Sequence, residues 1–340
     1  MAADLKLGLQ LGYWSSHPPP NVVGLVQEAE RLGFDSVWTA EAYGSDALTP
    51  LAWIGSQTTR IRLGTAVCQM SARTPTATAM AALTLDHLSQ GRMMLGLGVS
   101  GPQVVEGWYG QPFSKPLART REYISIIRQV LEREVPVANK GPHYPLPYTG
   151  EGAWGLGKPL KPIVHPLRKD LPIFLGAEGP KNVALAAELA DGWLPLYYSP
   201  FRQDVYAPSL SNAKPNFEIA QGVVVRITDN VEEGLIPIKH MLALYVGGMG
   251  AKDRNFHKEL VSRMGFESEA NRVQELYLAG RKDEAARAVP DRLADEIALV
   301  GPAARIRERL QAWRETPVTS LLVSARSAVE LQTIADLVLG

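Results

Sequence analysis

The sequence predicts a (β/α)8 TIM barrel carrying insertions. Short apolar segments alternate with helical periodicities from the start of the chain. They follow one another so closely that parallel strands joined by right-handed crossovers are the economical reading. Eight strand segments can be counted in 340 residues, a length that one barrel with insertions absorbs.

Residues 5–11 read as a buried first strand. Asn21 is placed to cap the next helix, where Val22, Leu25, Val26, Ala29 and Leu32 recur at helical spacing until Gly33. Residues 35–39 (DSVWT) are a second strand, 51–58 a second helix and 61–67 (IRLGTAV) a third strand. The helix at 76–88 puts Ala79, Met80, Leu83 and His87 on one stripe, Gly91 closes it, and 93–97 is the fourth strand. A long helix at 118–131 follows, then strands at 171–175 and 192–196 around a helix at 181–190. Residues 220–226 (AQGVVVR) make the seventh strand and 320–323 the eighth, with helices at 303–313 and 327–339.

Two stretches break the rhythm. Residues 139–170 are rich in Pro and Gly and read as an insertion loop roofing one face; 231–299 read as a mostly helical second insertion. No repeat or linker divides the chain, so residues 1–340 are expected to form one domain. The rival architecture, an open doubly wound sheet, needs a Gly-rich fingerprint after the first strand. That turn is Gly12-Tyr13-Trp14-Ser15-Ser16-His17-Pro18, which cannot wrap a pyrophosphate.

Lys plus Arg and Asp plus Glu both number 35, so the zero net charge speaks against a nucleic-acid or membrane partner. The single cysteine, Cys68, excludes an intrachain disulfide and a multi-cysteine metal site, and fits a reducing cytoplasm. The early Asp4 and the lack of a long apolar run argue against a secretory leader. Widely separated histidines give no metal signature, so no metal is expected.

In a barrel the chemistry sits where strands end. The segments GFDSVW (33–38), LGTAV (63–67), LDHLSQGRMMLGLGVSG (85–101), LGAEGPKNVALAAELADGW (175–193) and GP-x-x-x-I-x-x-R-L (301–310) lie in order along most of the chain. Together they resemble the luciferase-like flavin and F420 enzymes. The 175–193 block looks most like the F420-dependent branch found in actinobacteria. The resemblance implies an oxidoreductase using coenzyme F420, or FMN in the two-component monooxygenases. It also implies a homodimer and a small-molecule substrate.

The residues bear a reading of their own. Gly176, Ala177, Glu178 and Gly179 form a strand-to-helix turn before Pro180. Free backbone N–H groups there can hold an anion, or the glycines simply serve a tight turn. The resemblance makes this the phosphate site, and Glu178 must then turn its charge away. It also implies a cis peptide at Ala66–Val67 backing the deazaflavin, and cofactor contacts at Gly98 and Val99. The Gly96–Gly101 run suggests no dinucleotide site, because no helix of the right spacing is expected directly after it. Glu41, after the second strand, is the candidate catalytic and cofactor-binding acid, or else a solvated or salt-bridged one. In the sugar-phosphate dehydrogenase branch an acid here precedes a catalytic histidine and a glutamate follows the fourth strand. This chain has Ala42 and Gly101-Pro102 instead, which argues against that reaction. Tyr13, Trp14, Trp108 and Tyr197 can line an apolar substrate pocket or pack beneath loops.

Overall fold

The computed structural model describes residues 5–250 and 255–340. Residues 1–4, on which the reading of a missing leader partly rests, and 251–254 of the second insertion lie outside the described residues. The strands are β1 (Lys6–Gly12), β2 (Ser36–Thr39), β3 (Arg62–Thr65), β4 (Cys68–Gln69), β5 (Met93–Gly98), β6 (Ile173–Gly176), β7 (Gly192–Leu194), β8 (Glu218–Gly222), β9 (Val224–Ile227), β10 (Ala298–Gly301) and β11 (Ser320–Val323). The first half carries helices α1 (Val22–Arg31), α2 (Leu48–Gly55), α3 (Pro75–Leu88), α4 (Pro102–Gly107), α5 (Pro116–Glu132), α6 (Pro180–Leu189) and α7 (Ala207–Leu210). The second half adds α8 (Val231–Gly248), α9 (Phe256–Val261), α10 (Glu267–Leu278), α11 (Lys282–Ala288), α12 (Asp291–Glu296), α13 (Ala303–Arg314) and α14 (Ala328–Val338).

The main sheet runs β3-β2-β1-β11-β8-β7-β6-β5-β4 and closes because β3 also pairs with β5. β3 meets β5 at Leu63↔Met93 and β4 meets it at Cys68↔Leu97, so the two are one stave interrupted at Ala66–Val67. Eight parallel staves result, the closed barrel that the alternation predicts.

Several expectations change. Residues 220–226 are not one strand: β8 ends at Gly222, and β9 leaves the barrel to pair in parallel with β10 from Ala298↔Val224 to Gly301↔Ile227. β10 itself was hidden in a stretch read as helical. An unbroken apolar run carries no mark of where a strand changes partners. Asn21 adopts φ 52° and makes no side-chain cap to α1. Met80 is exposed, whereas Thr78, Ala82 and Leu85 join Ala79 and Leu83 inside. A helix does follow Gly101 directly, since α4 opens at Pro102; the closed barrel, rather than the lack of a helix, excludes the open-sheet dinucleotide fold.

Residues 139–170 do not roof the strand C-terminal ends. They join the C-terminus of α5 to the start of β6, at the opposite end of the barrel, and lie along α3 and α5. Asn139 Nδ2 and the Tyr144 amide donate to Glu122 Oε2 at 3.1 and 3.0 Å, Arg168 pairs with the buried Asp86 at 2.8 Å, and His87 contacts the His165 carbonyl at 2.8 Å. The second insertion follows β8, so it flanks the mouth instead.

Side chains alternate along each stave. Leu7, Leu9, Val37, Leu63, Leu95, Ile173 and Leu321 face the helices. Inside, Arg62 closes the lower end by bridging Asp35 at 2.5 Å and Glu218 at 2.9 Å. Above it pack Trp38, Met94, Phe174, Leu194, Ala220 and Leu322, with the Trp38 and Phe174 rings edge-to-face at 5.3 Å. Glycines make the room: a Cβ on Gly64 would lie 2.3 Å from Trp38, and one on Gly192 2.3 Å from Phe174. The uppermost layer, Ala66, Val67, Gly98, Gly176 and Gly222, is nearly bare backbone.

Candidate active site

The Ala66–Val67 peptide is cis. The Ala66 amide donates to the Thr39 carbonyl at 2.6 Å, and the Val67 carbonyl accepts from the Glu41 amide at 3.2 Å. The end of β2 thus holds the interruption between β3 and β4. A Cβ on Gly98 would lie 2.5 Å from Val67 Cγ2, and one on Gly176 3.2 Å from Val67 Cγ1. Glycine at these two positions lets the Val67 side chain settle between the staves and leaves a flat, small-residue floor above the aromatic core.

Glu41 is buried beside this floor. Its Oε1 accepts from the Gln69 amide at 2.7 Å and from Arg73 Nη1 at 2.7 Å. Its Oε2 accepts from Arg73 Nη2 at 3.1 Å and from the Ala47 amide at 3.2 Å. The carboxylate is fully engaged, bidentate on arginine and clamped by two amides. Arg73 also pairs with Asp46. Burial alone would lower the guanidinium pKa, but Glu41, Cys68 and Asp46 outweigh it and hold it above its ordinary value. Burial first, then the Glu41 charge, pushes the Cys68 thiol well above its usual range, so it stays protonated and inert. This geometry suits a group that fixes the loop around the cis peptide.

Across the mouth the second acid is placed differently. Glu178 leaves the end of β6 and turns away from the α6 N-terminus. Its Oε2 lies 2.6 Å from His257 Nδ1 on α9, a contact not aligned as a regular hydrogen bond. Arg263 donates to the Glu178 carbonyl at 3.2 Å. The Tyr245 ring from α8 stands edge-on to His257 at 5.0 Å and to Tyr197 at 5.9 Å. Burial, then Tyr245 and Glu178, pushes the Tyr197 phenol far above its usual range, so its hydroxyl keeps its proton. That hydroxyl is buried and has no hydrogen-bond partner.

Orphaned atoms gather at this end. Gln69 Oε1, Ser71 Oγ, Glu178 Oε2, Tyr197 Oη, Gln221 Oε1 and His257 Nδ1 are buried without a regular hydrogen bond, and all flank the C-terminal ends of the staves. Arg119 Nε, Asp295 Oδ1 and Arg309 Nε, on α5, α12 and α13, are the other buried atoms of this kind among the described residues, so most of the nine gather at this end, as expected where a ligand's polar groups complete a site.

The other sequence candidates divide. Ala177 is buried, and its carbonyl accepts from Trp193 Nε1 at 2.8 Å. Gly179 caps α6, and a Cβ there would meet nothing within 4 Å, so the turn is open on that side. Val99 packs against the outer core, which leaves only its backbone for the mouth. Tyr13 is exposed and Trp14 half-buried, both on the loop after β1; Tyr13 acts on the Tyr245 phenol, so it shares that side of the mouth. Trp108 stands exposed at the end of α4. Sequence reading missed Arg73, Tyr245 and His257. Arg73 had a signal, as the one cation between β4 and α3. The other two arrive from the insertion by tertiary contact. A cavity lined by Tyr198, Tyr206, Leu210 and Phe217 lies under α7, away from the mouth.

The family described as luciferase-like monooxygenase matches residues 7–320. The chain belongs to this family. It is 58% identical to a Mycobacterium tuberculosis protein provisionally named as a coenzyme F420-dependent oxidoreductase, over 99% of this chain and 100% of the relative. A 5,10-methylenetetrahydromethanopterin reductase of Archaeoglobus fulgidus is 36% identical over 50% of this chain and 47% of its own length. Among solved structures, the coenzyme F420-dependent tetrahydromethanopterin reductase of Methanopyrus kandleri superposes with a TM-score of 0.79 at 20% identity, covering 99% of both chains. An F420-dependent secondary alcohol dehydrogenase bound to an F420–acetone adduct gives 0.75 at 15% identity, covering 99% of this chain and 98% of the other. At such identities these two likenesses speak for the fold alone, the luciferase-like barrel.

Proposed function

We propose that this luciferase-like barrel is a coenzyme F420-dependent oxidoreductase acting on a small, largely apolar organic substrate in the cytoplasm. The observation that carries the choice of cofactor is the full-length match to the mycobacterial relative named for F420. The site suits such a group. A flat ring system fits the floor of Ala66, Val67, Gly98 and Gly176, and orphaned polar atoms surround the place where its polar edges would lie. The open Gly176–Gly179 turn, at the start of a ten-residue helix, suits the anionic end through its N–H groups.

When bound, the deazaflavin supplies hydride transfer. The protein's part is position. Glu41 and Arg73 hold the loop around the cis peptide, Val67 would back the ring, and the Tyr197 hydroxyl would offer it a hydrogen-bond donor. Tyr13, Trp14 and Trp108 line the approach for substrate. The homodimer that the resemblance implies belongs to the same proposal, and sedimentation velocity checks it.

Titration of the purified protein with F420 and then FMN tests the reading. F420 is expected to bind at least tenfold more tightly, a margin of about 1.4 kcal/mol. Equal or tighter FMN binding, with oxygen uptake from reduced FMN, would replace it with a two-component monooxygenase. Tight binding without turnover of any alcohol, ketone, imine or alkene would leave a non-catalytic carrier.

A further inference from the structure

Glu178 poses a problem for any anionic ligand. It sits inside the 176–179 turn, at the spot where a negative ligand end would meet backbone N–H groups, and it brings a negative charge of its own. The structure resolves this through the second insertion. His257 on α9 reaches across the mouth to within 2.6 Å of Glu178 Oε2, and both side chains are largely withdrawn from solvent. We infer that His257 is a positioning residue that holds the Glu178 carboxylate aside, so that an anionic ligand end binds beside the turn's N–H groups. This inference rests on the function proposed above.

The surroundings single out His257 as the group that holds Glu178. From the β6–α6 turn it faces Glu178, and from α8 it faces the Tyr245 ring, with Tyr197 behind. Tyr13 and Tyr43 act on Tyr245 from the loops after β1 and β2. Burial raises both Tyr245 and Tyr197, so neither phenol ionises near neutrality. Arg263, which holds the Glu178 carbonyl, is a permanent cation. On its own helix, Lys258 is tied to Gln274 at 2.7 Å, and Glu259 is a carboxylate. The unpartnered Tyr197 hydroxyl, buried beside Glu178, is the independent sign that a ligand's polar end belongs here.

The sign follows. With His257 in contact, Glu178 is drawn aside and an anion meets the turn's N–H groups. Without that contact, Glu178 is free to face the anion and repel it. The contact couples a side chain to a ligand, and such couplings amount to about fivefold or more in affinity.

Calorimetric titration with F420 and with FMN reads it, using the wild type, Glu178→Gln, His257→Ala and the double variant. His257→Ala is expected to bind at least about fivefold more weakly than the wild type. Glu178→Gln should bind at least as well as the wild type, and the double variant should follow Glu178→Gln. A merely structural latch would behave otherwise, with both single variants weakened alike, and that result overturns the inference. So does a double variant as weak as His257→Ala. Tighter FMN binding with the same pattern overturns the F420 reading alone, and no binding of either ligand overturns both.

Discussion

Two glutamates stand at the barrel mouth in opposite conditions. Glu41, after β2, has both oxygens filled by Arg73 and two backbone amides. Glu178, after β6, has a single histidine at an unfavourable angle and an orphaned tyrosine hydroxyl nearby. The first corner is complete without a ligand and behaves as scaffold. The second is incomplete and is where binding energy can be gained, because a ligand that supplies the missing partners relieves groups already stripped of water. A sequence presents both as an acid at a strand end; their partners alone separate them.

The comparison breaks most visibly through Arg73→Met. That change leaves Glu41 buried with its main counter-charge gone, and urea unfolding should lose about 3–5 kcal/mol. A loss below about 1 kcal/mol, the worth of an exposed pair, would show that the Glu41 corner is no scaffold. Glu41→Gln addresses chemistry at the same place. General acid–base catalysis contributes about 10²–10⁴-fold, so a kcat drop of that size would return Glu41 to a proton-transfer role. The filled carboxylate predicts a much smaller change.

Next in size is Gly98→Ala. The added methyl would meet Val67 Cγ2 at 2.5 Å, and the crowding should cost about 1–3 kcal/mol of stability in thermal unfolding. F420 affinity should fall with it, since the floor is displaced. Tyr197→Phe then sharpens the contrast with Arg73→Met. It removes a buried hydroxyl that has no partner, so the free protein should be unchanged or stabilised by about 1 kcal/mol while ligand affinity drops. Destabilisation of the free protein instead would mean that the hydroxyl is already satisfied.

The smallest effect serves as a control at the far end of the barrel. Burial would raise Glu218, but its hydrogen bonds and charge contact with Arg62 outweigh this and hold it below the usual carboxylate range. A carboxylate depressed in the folded state stabilises above its unfolded value, about 4.3, and loses that contribution as pH falls through the folded value. Glu218→Gln should therefore flatten the acid limb of a stability-versus-pH curve without touching F420 affinity. An altered affinity would couple the two ends of the barrel and blur the contrast between the two corners.

Most of the fold was legible because barrel staves announce themselves locally. DSVWT, IRLGTAV and the 93–97 run are short, apolar and separated by helical periodicity, and each became a stave within a residue or two. β9 and β10 were not legible, because a change of strand partner is a long-range event and Val223 looks like its neighbours. The loop at 139–170 was identified as an insertion but put at the wrong end. Its place follows from joining a helix end to a strand start, which is readable from connectivity once the strand order is known. The mouth glycines stood out as strand-end glycines, and the family resemblance, not their spacing, gave them a cofactor role. The partners of Glu41 and Glu178 were not, since Arg73 lies 32 residues from one and His257 lies in another insertion from the other.

The paired interior of the barrel has a consequence for how this sequence can drift. Trp38 occupies the space a Gly64 side chain would need, Phe174 that of Gly192, and Leu322 that of Gly8, where an added Cβ would sit 2.5 Å from Leu322 Cδ2. Neither member of such a pair is free to vary alone. A larger residue at 64 demands a smaller one at 38 in the same step, and the two changes are non-additive because they share one volume. Across descendants of this chain the inner staves should therefore mutate as coupled letters, conserved in summed size while each position on its own looks variable.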